Sequence, residues 1–240
     1  MRCFPFNYIE IVGLPGAGKS TFLHSFQNSK YAGVYHFSGP SKSNPFLYLS
    51  FLFCLVFTFL FKHTYSALRL LSRSDGRALI MKLSYRLSRL PLAYQRTFLV
   101  DCGIYQPLVS YLAEYNYGDT SVHDVYALST ILPRPSCLIF FSIDPNVALN
   151  RYQIRKVSTG RYNDFSRYWA SGPFHSESDT DVVPSIDSFF SADLLLKKLC
   201  KLSPVTISQH LGTTENNESS HSDFHNKLQI SFGSDQAKTK

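Results

Sequence analysis

What this 240-residue sequence lacks narrows it before any motif does. Its five cysteines, Cys3, Cys54, Cys102, Cys137 and Cys200, form no CxxC pair and no metal-finger spacing. Neither a disulfide framework nor a structural zinc is indicated, and a reducing cytoplasmic setting is expected. The eight histidines form no H-E-x-x-H motif, so zinc catalysis finds no support. A glycine-rich stretch begins at Gly13, too early for a secretory leader to precede it, and export is not expected. No repeat is visible at solenoid periods. Charged residues are scarce at 17% against 44% apolar, which excludes a disordered chain or a coiled coil and leaves one globular domain.

Acidic residues are nearly missing from one stretch. Lys62, Arg69, Arg73, Arg77, Lys82, Arg86, Arg89 and Arg96 face Asp75 alone, and they account for the whole net charge of +7. Such a cluster serves nucleic acid, anionic lipid or phosphorylated small molecules, and charge alone does not choose among them. Nucleic acid is the weakest partner, because only Tyr85 and Tyr94 interleave with the basic helix.

The periodicity alternates between strands and helices. Tyr8–Val12 is a β-branched run, Lys19–Gln27 a helix, and Val34–Phe37 a short strand closed by Ser38-Gly39-Pro40. Phe98–Val100 and Leu138–Ile143 are continuous apolar runs suited to strands buried on both faces, with Val205–Ile207 as a fifth. Helical patterns cover Gln106–Glu114, His123–Leu132, Asn146–Lys156 and Ser188–Leu202. This order predicts a parallel sheet joined by crossover helices over residues 1–208. Ser171–Asp187 is polar and acidic, a mobile loop, and 209–240 is a polar tail.

Gly13-Leu14-Pro15-Gly16-Ala17-Gly18-Lys19-Ser20 fits GxxxxGK[ST] and is followed by Thr21. Glycines let the backbone wrap a polyphosphate, with successive N–H groups and the positive end of the next helix turned toward it. Gly13, Pro15, Gly16, Ala17, Gly18, Lys19, Ser20 and Thr21 are therefore the expected ATP contacts. Lys19, taken as a solvent-facing loop lysine, reaches the β- and γ-phosphates, and Ser20 holds Mg²⁺. The loop is shared by switches, motors and kinases. The guanine-reading NKxD signature occurs only as Asn226-Lys227-Leu228-Gln229, with Gln in place of Asp, and a GTPase is not expected.

Leu132–Pro145, an Arg-Pro entry, an apolar strand and Asp144-Pro145, leads into Val147-Ala148-Leu149-Asn150-Arg151. This block resembles the fourth-strand region of thymidylate kinase-like enzymes, with Ser136 in place of their Asp. The resemblance runs from Ile9 to about Arg167. It implies a P-loop NTPase fold, a three-layer α/β sandwich whose central parallel sheet has about five strands, with a helical lid near 151–187. It implies ATP and Mg²⁺ as cofactors and lid arginines at Arg151, Arg155 and Arg161, beside Lys156. Asp101, at the end of the third strand, either binds Mg²⁺ through water or takes a proton from an acceptor hydroxyl. Thymidylate kinases follow this Asp with Arg. Here Cys102 follows, in an Asp101-x-Gly103-x-x-Gln106 form.

The stretch 46–96 interrupts the alternation. Phe46–Phe61 carries no charge and falls short of the roughly 20 residues that span a bilayer. After it, Ile80, Leu83, Leu87 and Leu90 keep helical spacing, with Lys82, Arg86 and Arg89 on a neighbouring face. Two readings stay open: a buried acceptor-site helix, with Phe53 and Phe57 inside, or a surface on anionic membrane. The buried reading is the expectation, with weak residual membrane contact. The resemblance implies a cytoplasmic kinase that moves the γ-phosphoryl group of ATP to a small acceptor, a nucleotide or nucleoside. A non-catalytic or regulatory nucleotide-binding ATPase peripheral to a membrane is the rival, and a homodimer stays open.

Overall fold

Tyr8–Gly13 forms β1 and is buried along its whole length, as an apolar β-branched run between two helical layers should be. The computed structural model describes residues 8–27, 36–37, 45–89, 98–101, 103–115, 119–159, 184–202, 206–210 and 226. Within them, β1 leads through the glycine loop into α1 (Lys19–Gln27), followed by β2 (His36–Phe37). Three helices come next: α2 (Pro45–Lys62), α3 (Thr64–Leu71) and α4 (Ser74–Arg89). Then follow β3 (Phe98–Asp101), α5 (Tyr105–Glu114), α6 (Asp119–Ile131), β4 (Cys137–Ser142), α7 (Pro145–Thr159), α8 (Ile186–Cys200) and β5 (Thr206–His210).

The five strands form one parallel sheet in the order β2-β3-β1-β4-β5. Side chains alternate across it, as the period of two requires. Ile9, Ile11, Leu99, Ile139 and Phe141 face α1, where Phe22, Leu23 and Phe26 meet them. Tyr8, Val12, Val100 and Leu138 face the opposite layer, built around the almost wholly buried α5 and around α8. The chain is therefore the expected three-layer α/β sandwich with five parallel strands. Leu90, Cys102 and Arg161 lie outside the described residues, as do most of the expected lid and tail. Ile186 and Asp187, assigned from sequence to the mobile loop, open α8, where Ser185 caps the helix by accepting the Ser188 N–H. β5 reaches His210, two residues into the expected tail.

The insert packs as a helical layer beside α5 and α6. On α4, Leu79, Ile80, Leu83 and Leu87 are buried together, as the helical spacing predicts. Asp75, the lone acid of the basic stretch, accepts the Tyr111 hydroxyl at 2.6 Å and so fixes α4 to α5. Arg69 grips the buried Asp124 of α6 in a two-pronged contact, both bonds 2.6 Å, a geometry that suits guanidinium and carboxylate. From α2, Leu55 and Phe59 are buried in the core, and Phe51, Leu52, Val56 and Leu60 pack half-buried against it.

Here the structure corrects the expectation of a buried apolar helix: Phe53 is 62% exposed and Phe57 57%. The run is apolar on every side, whereas α4 and α6 cover one side only. Phe59, fully buried, and Phe57, two residues earlier, should therefore respond differently to truncation. Phe59→Ala is expected to cost about 3 kcal/mol or more, and Phe57→Ser to stay within about 0.5 kcal/mol of wild type, in urea unfolding.

Candidate functional site: a glycine loop held from two strands

The loop between β1 and α1 lies at the carboxyl ends of the strands, where open parallel sheets bind ligands. Gly16 and Gly18 adopt φ of 84° and 82°, left-handed values that a Cβ would disfavour. Space restricts the loop too. A Cβ on Gly13 would press on the Phe141 carbonyl, and one on Gly16 would strike the Ala148 carbonyl and the Tyr152 N–H of α7. The loop is thus packed directly against the backbone of α7. The Ala17 N–H closes the turn on the Leu14 carbonyl at 3.1 Å.

Lys19 opens α1 and is buried, in contrast to the solvent-facing side chain expected from sequence. Its Nζ donates to the Gly13 and Leu14 carbonyls, both at 2.9 Å, which fixes the ammonium inside the loop. Ser20 and Thr21 are exposed on the first turn of α1. A concave turn without Cβ atoms at Gly16 and Gly18, an inward ammonium and a helix N-terminus together fit a polyphosphate. The open Ser20 hydroxyl suits a hard cation such as Mg²⁺.

The neighbouring strand brings the second candidate cation ligand close. β3 pairs with β1 so that Asp101 lies opposite Ile11, two residues before the loop begins. On the other flank, Asp144 accepts the Asn146 N–H at 2.8 Å and the Val147 N–H at 3.3 Å, capping α7. These bonds hold its carboxyl below the ordinary range. Arg151 and Arg155 stand one turn apart on α7, three and seven residues beyond the Ala148 carbonyl that touches the loop, and both are exposed. Ser136, where the resembled kinases carry Asp, donates its N–H to the Tyr8 carbonyl at 2.9 Å just before β4.

Two residues essential to this arrangement were not among the expected site residues. Glu10, in the middle of β1, is fully buried and accepts three backbone N–H groups at the start of α5: Ile104 at 3.0 Å, Tyr105 at 2.7 Å and Gln106 at 2.9 Å. Helix α5 has no side-chain cap of its own, so Glu10 supplies one from the sheet. Gly103 leaves room for it, because a Cβ there would come within 2.5 Å of the Glu10 carboxyl carbon. Gln106, so oriented, accepts the Gly13 N–H on Oε1 at 3.1 Å and donates from Nε2 to Ser110 at 3.2 Å. The only sequence signals were a single carboxylate within a β-branched run and the Gly103-x-x-Gln106 spacing.

Among family models and curated proteins, none matches the sequence. Solved structures do match in shape. Deoxyadenosine kinase from M. mycoides with bound dATP covers 92% of this chain and 98% of its own, at 15% identity and TM-score 0.47. Thymidylate kinase from Candida albicans covers 93% of this chain and 91% of its own, at 17% identity and TM-score 0.51.

Burial lifts the Glu10 carboxyl from 4.5 to about 7, against the pull of its three N–H donors. Between those values the folded chain keeps a proton that the unfolded chain releases, so stability falls as pH rises through the window and levels off above it. The contribution is roughly 3 kcal/mol. Urea unfolding at pH 5 and pH 7.5 should show this loss in wild type, and Glu10→Gln should lack it. With the Gly13–Ser20 loop at the end of the central strand β1 and strand order β2-β3-β1-β4-β5, the chain has a thymidylate kinase-like P-loop fold.

Proposed function

We propose that the protein is an ATP-dependent phosphotransferase that moves the γ-phosphoryl group to a small acceptor, a nucleotide or a nucleoside. The observation that carries this reading is the Gly13–Ser20 loop, with Lys19 seated on its carbonyls and α7 packed against Gly16. The N–H groups of the loop and the start of α1 receive the phosphates, and Lys19 turns its ammonium from the carbonyls to the β- and γ-oxygens. Ser20 would hold Mg²⁺, which would neutralise phosphate charge when bound.

Asp101 takes the acceptor proton as the acceptor oxygen bonds to the γ-phosphorus. The bond to the bridging oxygen breaks, and ADP leaves with its electron pair. Arg151 and Arg155 of α7, together with Arg161 beyond the described residues, balance the charge spread over the transferring group. Gln106 keeps the first loop residue in register through its bond to the Gly13 N–H. Cys102, where thymidylate kinases carry Arg, gives no cationic grip on an acceptor phosphate, which favours acceptors held by other contacts.

ADP release measured against a panel of nucleosides and nucleoside monophosphates tests this reading. Release that depends on one acceptor class is expected, and ATP binding without acceptor-dependent release from any of them would contradict transfer. Lys19→Ala should abolish tight Mg-ATP binding by calorimetry while the melting profile stays cooperative. Unchanged affinity would contradict the loop assignment. Arg155→Ala or Arg161→Ala should lower turnover more than ATP affinity, since their contacts strengthen in the transition state.

A further inference from the structure

Helix α2 runs for 18 mostly apolar residues, of which Leu55 and Phe59 alone are buried. Its inner side, Leu55 and Phe59, is sealed against the insert. Its outer side exposes Phe46 (79%), Phe53, Phe57 and Phe61 (82%), and the exposed Tyr65 and Leu68 continue the apolar surface onto α3. Those phenylalanines recur seven, four and four residues apart, so they form one stripe. Phe57 and Phe61 stack on each other with centroids 6.3 Å apart. An apolar stripe of this extent on the outward face of a helix marks a surface that something else covers.

Charge indicates what covers it. From Pro45 through Phe61 the helix holds no charged residue, and the exposed Lys62 ends it. The segment that follows, to Arg89, adds six cations against Asp75; Asp124 neutralises Arg69 and Arg73 bonds Ser121, so the segment stays net basic, with Arg77 exposed. The covering surface must therefore be apolar and anionic together. A second copy of this chain would set like charges side by side, whereas the headgroup and acyl boundary of an anionic bilayer offers both properties. Because Leu55 and Phe59 tie the helix lengthwise to the body, it lies along the boundary and does not cross it.

We infer that α2 is an in-plane membrane-docking helix, inserting the Phe46, Phe53, Phe57 and Phe61 stripe beneath anionic headgroups that meet the exposed Lys62 and Arg77. This places the phosphate loop at a bilayer surface independently of the reaction that it performs.

The full chain is tested by cosedimentation with vesicles of phosphatidylcholine containing phosphatidylserine, and with pure phosphatidylcholine. Binding to the phosphatidylserine vesicles is expected, weakened about tenfold or more in high salt and on the neutral vesicles. The Phe53→Ser/Phe57→Ser double variant should lose binding while unfolding at the wild-type urea midpoint, because both side chains are exposed. Separately, Phe53→Trp should shift its added emission to shorter wavelength when phosphatidylserine vesicles are added. No binding, equal binding by the double variant, or an unshifted emission from the Phe53→Trp variant would overturn the inference. So would a dimer in sedimentation equilibrium that the double variant dissolves while vesicles bind neither protein, since a second copy would then be the cover.

Discussion

The candidate site depends on a carboxyl buried in the central strand. Glu10 reaches across the sheet layer to three N–H groups that α5 cannot satisfy by itself. Its solvation is replaced by donors from a helix N-terminus, where the peptide dipoles also favour negative charge. Through that contact the start of α5 is held at a fixed height on β1. Gln106 is then in place to take the Gly13 N–H. Without the cap, the helix start and the loop start would have no common reference.

From that anchor the loop is confined on every side. Phe141 of β4 crowds Gly13, and the Ala148–Tyr152 backbone of α7 crowds Gly16. Lys19 fills the inside of the turn with its ammonium. The cradle is therefore set by packing against two strands and two helices before any phosphate arrives, which lowers the ordering cost of binding. The same contacts couple the loop to α7, so that a shift of the arginine-bearing helix is felt at Gly16. The insert acts on this anchor through Arg86 of α4, whose charge favours the Glu10 carboxylate. Its α3 and α4 are fixed by Arg69 to Asp124 and by Tyr111 to Asp75, while α2 leaves its phenylalanine face outward.

The elements legible in the sequence were those specified locally. β1, α1, β3, β4, α5 and α7 lie where periodicity and the flanking glycine and proline residues put them, and Lys19–Gln27 agrees to the residue. The loop was legible because its glycine spacing is itself the geometry. Glu10 was not, and Gln106 stood out only within the Asp101-x-Gly103-x-x-Gln106 pattern and not as a loop contact, since their partners lie more than 90 residues away in sequence. The exposure of α2 was illegible for another reason. A run apolar on all sides carries no periodicity to tell the covered face from the open one. Only the packing of α4 and α6 decides that Phe59 is inside and Phe57 outside.

The proposed phosphoryl transfer requires Gly13–Ser20 to receive phosphate in a shape already formed in the free protein. A crystal structure with Mg²⁺ and a non-hydrolysable ATP analogue tests it most directly. The triphosphate is expected within the loop, with Lys19 Nζ turned toward it, the Gln106 to Gly13 bond intact and the loop backbone displaced by less than about 1 Å. An analogue bound elsewhere, or a loop that must refold and release Gln106 to admit it, would contradict the account.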